Sequence, residues 1–136
     1  MLKKFHLKTK KDDAIKITDQ VIQTIDESNV SEGICTISVP HTTAGLIITS
    51  FWDPKGLEDI QDELQRLIPT RVNFKHQHDT PSDAAGHVKS AITGTNQTII
   101  IHEGKAVLGG SQGMYFLEFD GPREREFIVS VGSYVE

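Results

Sequence analysis

The sequence predicts an α+β fold: a single compact domain built on a largely antiparallel β-sheet, with about three helices inserted. Two observations carry this. Apolar runs of period two follow one another in short succession, at 33–39 and again from Gln97 onward, while helical stripes are confined to a few stretches between them. Strand and helix also alternate too rarely for a doubly wound parallel sheet. A chain of 136 residues is long enough to bury a core without staples, and no repeat or low-complexity segment marks a boundary, so 1–136 reads as one domain.

The elements follow in order. Leu2, Phe5 and Leu7 open a strand that turns through 10–13 into a second run around Ala14, Ile15 and Ile17, an expected N-terminal hairpin. Thr18 is the expected N-cap of a helix over 19–28 with Val21, Ile22 and Ile25 inward. In 33–39 strict alternation sends Cys35, Ile37 and Val39 to one face, placing Cys35 in the core. Pro40 to Gly45 interrupts before a strand over 46–50, which sets His41, Thr42 and Thr43 at the mouth of a sheet; they either form a site or satisfy turn carbonyls. The clearest helix spans 55–68, with Leu57, Ile60, Leu64, Leu67 and Ile68 as its stripe and Asp59 off it on a solvated face. Pro69 stops it. Strands are expected at 98–102, 106–108, 114–119 and 127–131. The glycine-rich 109–113 loop leads into a strand and lacks the Lys-Ser/Thr of a phosphate-binding loop, so it reads as a bulge or turn. The charged hairpin connection 120–126 carries arginines that hold phosphate or a neighbouring subunit, with exposed charge pairs the commoner reading.

Between the helix over 55–68 and the late strands, residues 74–94 hold three of the six histidines: His76, His78 and His87. Pro81 ends an extended segment, Ser82 is the expected N-cap of a short helix with Asp83 favouring its positive end, and Gly94 stops it. Spacing puts Ala84, His87, Val88 and Ala91 on one stripe, so His87 needs polar partners. His76 and His78 project from one face of an extended chain, and imidazoles from loop and helix can converge on a metal ion or a phosphate. The spacing is not that of a zinc finger or zincin, and a solvated loop is the plainer reading.

Charge narrows the partners. Lys and Arg number 14 against 19 Asp and Glu, a net of −5, which gives no reason to invoke nucleic acid or an anionic membrane. The single cysteine forbids an intrachain disulfide, and with no leader-like or long apolar run a reducing, cytoplasmic setting is expected.

The ordered set His41-Thr42-Thr43-Ala44, Asp53-Pro54, Asp59, His76, then His87-Val88-Lys89-Ser90 eleven residues on, Gly94, Gly104, Gly109 and Gln112 resembles the YjbQ family over nearly the whole chain. The resemblance implies a compact α+β domain assembling as a homotrimer, with a polar pocket near subunit contacts. Some members are named secondary thiamine-phosphate synthases, which would join a pyrimidine methyl pyrophosphate to a thiazole phosphate and release pyrophosphate. It implicates His41, Thr42, Asp59, His76, His87 and Gln112. Two departures stand out: Thr49-Ser50-Phe51 where relatives carry an Asn-Glu-Asn-like run, and Gly109-Gly110-Ser111-Gln112 where they carry Gly-Thr-Trp-Gln.

The resulting expectation is a low-activity transferase of this kind. His87 and Asp59 are its catalytic residues; Thr42, Thr43, Lys89 and Gln112 bind a small phosphorylated molecule or anion; and His41, His76 and His87 hold a divalent metal, zinc or magnesium. The alternative is a trimer that binds metal or anion without chemistry, and a plainer one has the histidines satisfying one another at an interface.

Overall fold

A computed structural model describes residues 1–134. Its elements are β1 Leu2–Lys8, β2 Ala14–Lys16, α1 Thr18–Ser28, β3 Gly33–Ser38, β4 Ala44–Ser50, α2 Pro54–Leu67, α3 Pro81–Thr93, β5 Asn96–His102, β6 Lys105–Ala106, β7 Gln112–Glu118 and β8 Glu124–Ser133. The strands form a five-stranded sheet ordered β1-β8-β3-β5-β6 and a three-stranded sheet ordered β2-β7-β4. Every pairing is antiparallel, as the strand-rich pattern predicts. No described helix is long and apolar enough to cross a membrane.

The N-terminal hairpin is not formed. β1 pairs with β8, from Leu2↔Ser130 to Lys8↔Glu124, whereas β2 pairs with β7, so residues 9–13 cross from one sheet to the other. Each short strand finds a longer ladder and a deeper apolar surface away from its neighbour: Phe5 stacks on Phe127 with ring centroids 5.0 Å apart.

The two sheets face each other across one core. Cys35, Ile37, Ile99, Ile101, Phe127 and Val129 meet Leu46, Met114 and Phe116, and α1 closes the layer with Val21 and Ile25. Alternation in β3 places Cys35 at 0 % exposure, and burial pushes its thiol up to about 11. On the far face of β7, Tyr115, Leu117 and Phe119 are covered by Leu57, Ile60 and Leu64 of α2. The apolar stripes are narrower than the sequence implies, because Ile22 and Leu67 lie outward at 41 % and 64 % exposure.

Helix starts differ in instructive ways. Thr18 is the first residue of α1 and not its cap; its hydroxyl accepts from the Met114 N–H at 2.9 Å, which ties the helix to β7. Asp53 caps α2 by accepting from the Lys55 N–H, ahead of Pro54. Thr80, and not Ser82, caps α3, accepting from the Asp83 N–H at 3.1 Å, since Pro81 fits the first helical position. Gly94 ends α3 at φ +84°.

In the 120–126 connection Arg123 forms an exposed pair with Asp120 as expected, but Arg125 turns inward. Arg125 and Glu118 are 7 % and 0 % exposed and joined at 2.7 Å through Nε and 2.5 Å through Nη2. Thr9 and the Asp120 N–H donate to the same carboxylate, and Arg125 also donates to the Thr43 hydroxyl at 2.8 Å. Burial alone would push the Glu118 carboxyl up, but the hydrogen bonds from Arg125, Thr9 and Asp120 outweigh it and hold the group below its ordinary value.

Arg125→Met leaves that carboxylate buried without its cation and is expected to cost about 3–5 kcal/mol in urea unfolding; a loss under about 1 kcal/mol contradicts the pairing. Because the folded-state value of Glu118 is depressed, its contribution is present in full above the ordinary carboxylate range and is lost as pH falls through the lowered value. Unfolding followed from neutral to acid pH is expected to show this loss in the parent and not in Arg125→Met.

Candidate functional site

The loop after α2 brings His76 back over the first turns of α3. There Asp83, third in the helix, and His87, one turn on, share a face because their spacing is i,i+4. Oδ2 of Asp83 lies 3.1 Å from Nε2 of His76 and 3.1 Å from Nε2 of His87. The three ligand atoms all fall within 4.8 Å of one another. The carboxylate side chain is 10 % exposed, the imidazoles 45 % and 39 %, so the cluster is open on one side. Asp83 lies in the first turn of α3, at the positive end of the helix dipole.

The protonation pattern of His87 is fixed by its other edge. Nδ1 lies 3.1 Å from the Thr42 carbonyl oxygen, which only accepts, so Nδ1 is the donor. In a neutral ring Nε2 is then a lone pair, and it faces the carboxylate oxygen of Asp83. Two acceptors at hydrogen-bond distance call for a proton or a cation between them. A backbone carbonyl orienting the distal nitrogen of an imidazole is the outer-shell arrangement of metal-bound histidine. Ligand atoms about 2.0–2.2 Å from a tetrahedral zinc ion would lie roughly 3.3–3.6 Å apart; each imidazole Nε2 is 3.1 Å from Asp83 Oδ2, and the three atoms lie within 4.8 Å of one another.

The other residues implicated by the sequence lie outside this cluster, although His41 and Thr42 line a cavity with His87. His41 stands apart from the cluster: its Nε2 meets the Glu126 backbone, 3.0 Å from the N–H and 3.2 Å from the carbonyl. The shorter contact satisfies a part-buried amide, so Nε2 accepts and Nδ1 carries the proton. Burial first, and the Arg125 charge second, push the His41 imidazole below its ordinary value. Thr43 is buried and accepts from Arg125, while Thr42 offers its carbonyl to His87. Lys89 is 3 % exposed on the opposite side of α3, donates to Gln65 at 2.8 Å, and is pushed down chiefly by burial. Asp59 is exposed on α2 with no hydrogen-bond or ion-pair partner among the described residues. Gln112 accepts from the Gly109 N–H and lines a separate cavity of about 550 Å³ with Lys16 and Phe51. His78 is exposed.

The buried stripe of α3 also differs from the expected one. Ala84, Ala85, Gly86, Lys89 and Ser90 face inward, whereas Val88 and Ala91 are exposed. Gly86 explains the tight approach: a Cβ there would lie 3.2 Å from the Thr43 side chain, so a glycine lets α3 close on the loop whose carbonyl holds His87. Asp83 is the residue that sequence reasoning missed as a ligand, having been read only for the helix dipole. Its spacing, seven after His76 and four before His87, was the available signal. Arg123 stands nearby; its guanidinium is held above its ordinary value first by a 2.8 Å hydrogen bond to Asp120 and further by Glu118 and Asp83.

Known proteins resemble this chain along its length. The family model described as UPF0047 protein YjbQ-like matches residues 3–133. A UPF0047 protein of Methanocaldococcus jannaschii is 48% identical over 132 residues, 96% of this chain and 94% of its own. A yjbq/upf0047 family crystal structure from Clostridium acetobutylicum shares 40% identity at a TM-score of 0.89, covering 95% of this chain and 98% of that one. A hypothetical protein from Aeropyrum pernix reaches 0.92 at 27% identity, covering 98% of each.

Tautomers are open to test. Long-range ¹⁵N–¹H spectra at mildly alkaline pH are expected to find both His41 and His87 protonated on Nδ1; a proton on Nε2 of either ring contradicts the assignment above.

Proposed function

This chain belongs to the YjbQ-like UPF0047 family, and from that premise we propose that it binds a divalent metal, zinc in the first instance, through His76, Asp83 and His87 and presents it to a small phosphorylated molecule. The observation that carries the proposal is the facing of two acceptors, Nε2 of His87 and Oδ2 of Asp83, with Nε2 of His76 at the same distance from that oxygen. A set of three protein ligands on an open face is the pattern of a site with coordination positions left for water or an oxyanion, unlike the closed four-ligand structural centre. A metal held there would polarise a phosphoryl oxygen as a Lewis acid. His76 and His87 supply neutral nitrogen donors, Asp83 supplies the charge, and Thr42 orients His87.

A transferase that releases pyrophosphate is the second reading. Arg123 favours it: although paired with Asp120, its charge acts on Asp83, and a cation in that region would meet the charge that grows on a departing phosphate. In that reading the metal ligands hold the leaving group, and the Asp59 side chain, exposed on α2, takes no part. The homotrimer implied by the resemblance belongs to the proposal as well, and sedimentation equilibrium tests it, with a monomer contradicting it.

Protein purified without chelator is expected to contain about one equivalent of metal per chain, and His76→Ala with His87→Ala to lose it while circular dichroism stays unchanged. Equal metal in parent and variant removes the site. For the second reading, pyrophosphate release from the paired thiamine precursors is expected in the metal-loaded parent and not in His87→Ala; release that survives the substitution excludes it.

A further inference from the structure

We infer that the cavity on the opposite side of His87 from the metal ligands holds the uncharged, hydroxyl-bearing body of a phosphorylated polyol whose phosphate lies at His76, Asp83 and His87. The inference deepens the metal reading and rests on it. The cavity measures about 430 Å³, and its lining includes His41, Thr42, His87, Ser90 and Thr95. His87 is the common wall: its Nε2 edge faces Asp83 and its Nδ1 edge holds Thr42.

Ser90 points to a ligand. It is 4 % exposed, yet its hydroxyl has no hydrogen-bond partner among the described residues. No fully enclosed side-chain polar atom there lacks a partner, so Ser90 Oγ must reach the cavity. That hydroxyl is open to the cavity and has no protein partner among the described residues, so it is available to a ligand group. The Thr42 and Thr95 hydroxyls are likewise without side-chain partners among the described residues, although both line the cavity. The His41 ring adds a further donor, because Nε2 accepts from Glu126 and leaves the proton on Nδ1. Burial first, and the Arg125 charge second, push that ring below its ordinary value.

Charge orients the ligand along α3. The cavity is lined by no lysine, arginine, aspartate or glutamate, and Ser90 and Gly94 lie at the carboxyl end of the helix, where the dipole is negative and an anion is disfavoured. Asp83 lies at the amino end, where the dipole is positive and the charge of Arg123 is felt. From Asp83 to Ser90 the helix rises about 10 Å, the reach of a pentose phosphate. Phosphate therefore belongs at the metal end and the neutral body at the other. Hydroxyls both donate and accept, which matches the hydroxyls of a polyol, and no phenylalanine, tyrosine or tryptophan lines the cavity to stack a planar heterocycle.

The test uses the full chain loaded with zinc, titrated calorimetrically with ribose 5-phosphate and with methyl phosphate, with metal content measured on the same samples. The parent is expected to prefer ribose 5-phosphate by about tenfold or more, and Ser90→Ala and Thr95→Val each to cut that preference to within about threefold. Equal affinities in a metal-loaded parent, or a preference that both variants retain in full, overturn the cavity assignment. A parent that holds no zinc but keeps a Ser90-dependent preference overturns the metal reading and supports the cavity alone.

Discussion

The structure depends on a buried ion pair. Glu118 ends β7 and Arg125 lies near the start of β8, so their union closes the connection between the central strand of the three-stranded sheet and an inner strand of the five-stranded one. Removing both charges from water is tolerable only because each carboxylate oxygen is satisfied, one by Arg125 Nε and Thr9, the other by Arg125 Nη2 and the Asp120 N–H. Thr9 reaches the pair from the crossing between β1 and β2, so the segment that passes from one sheet to the other is fixed at the same point.

The same pair sets the candidate site. Arg125 donates to the hydroxyl and carbonyl of Thr43, which pins the loop before β4, and the adjacent Thr42 carbonyl holds His87. One residue beyond Arg125, the Glu126 N–H holds His41. Both histidines on the walls of the cavity are thus positioned from the backbone of segments that the ion pair fixes. α3 supplies the remainder: Thr80 caps it, Asp83 and His87 share its open face, Gly86 allows its approach to Thr43, and Lys89 anchors the other side to Gln65 of α2.

Much of this was legible in the sequence because periodicity reports burial. The alternation of 33–39 gave β3 and the enclosed Cys35, and the antiparallel α+β class followed from the run of strands. Pairing was less legible: adjacency suggested a hairpin where β1 and β2 belong to different sheets, since local pattern does not say which ladder a strand joins. In 74–94 the histidines drew attention, while Asp83 was absorbed into a helix-dipole reading; a carboxylate at a helix start serves both purposes, and only the return of His76 separates them. Arg125 and Glu118 were invisible as a pair because a charged connection between strands ordinarily faces water, and burial there is decided by the packing of Thr9 and Thr43. His41 and Gln112 both belong to the ordered set on which the resemblance rests, yet they line separate cavities, a separation that spacing in sequence does not encode.

The most direct test of the metal reading is anomalous diffraction at the zinc edge from crystals grown with zinc. The account predicts one strong peak about 2.0–2.2 Å from His76 Nε2, His87 Nε2 and an oxygen of Asp83. A map with no peak there, or with zinc bound only elsewhere on the surface, would contradict it.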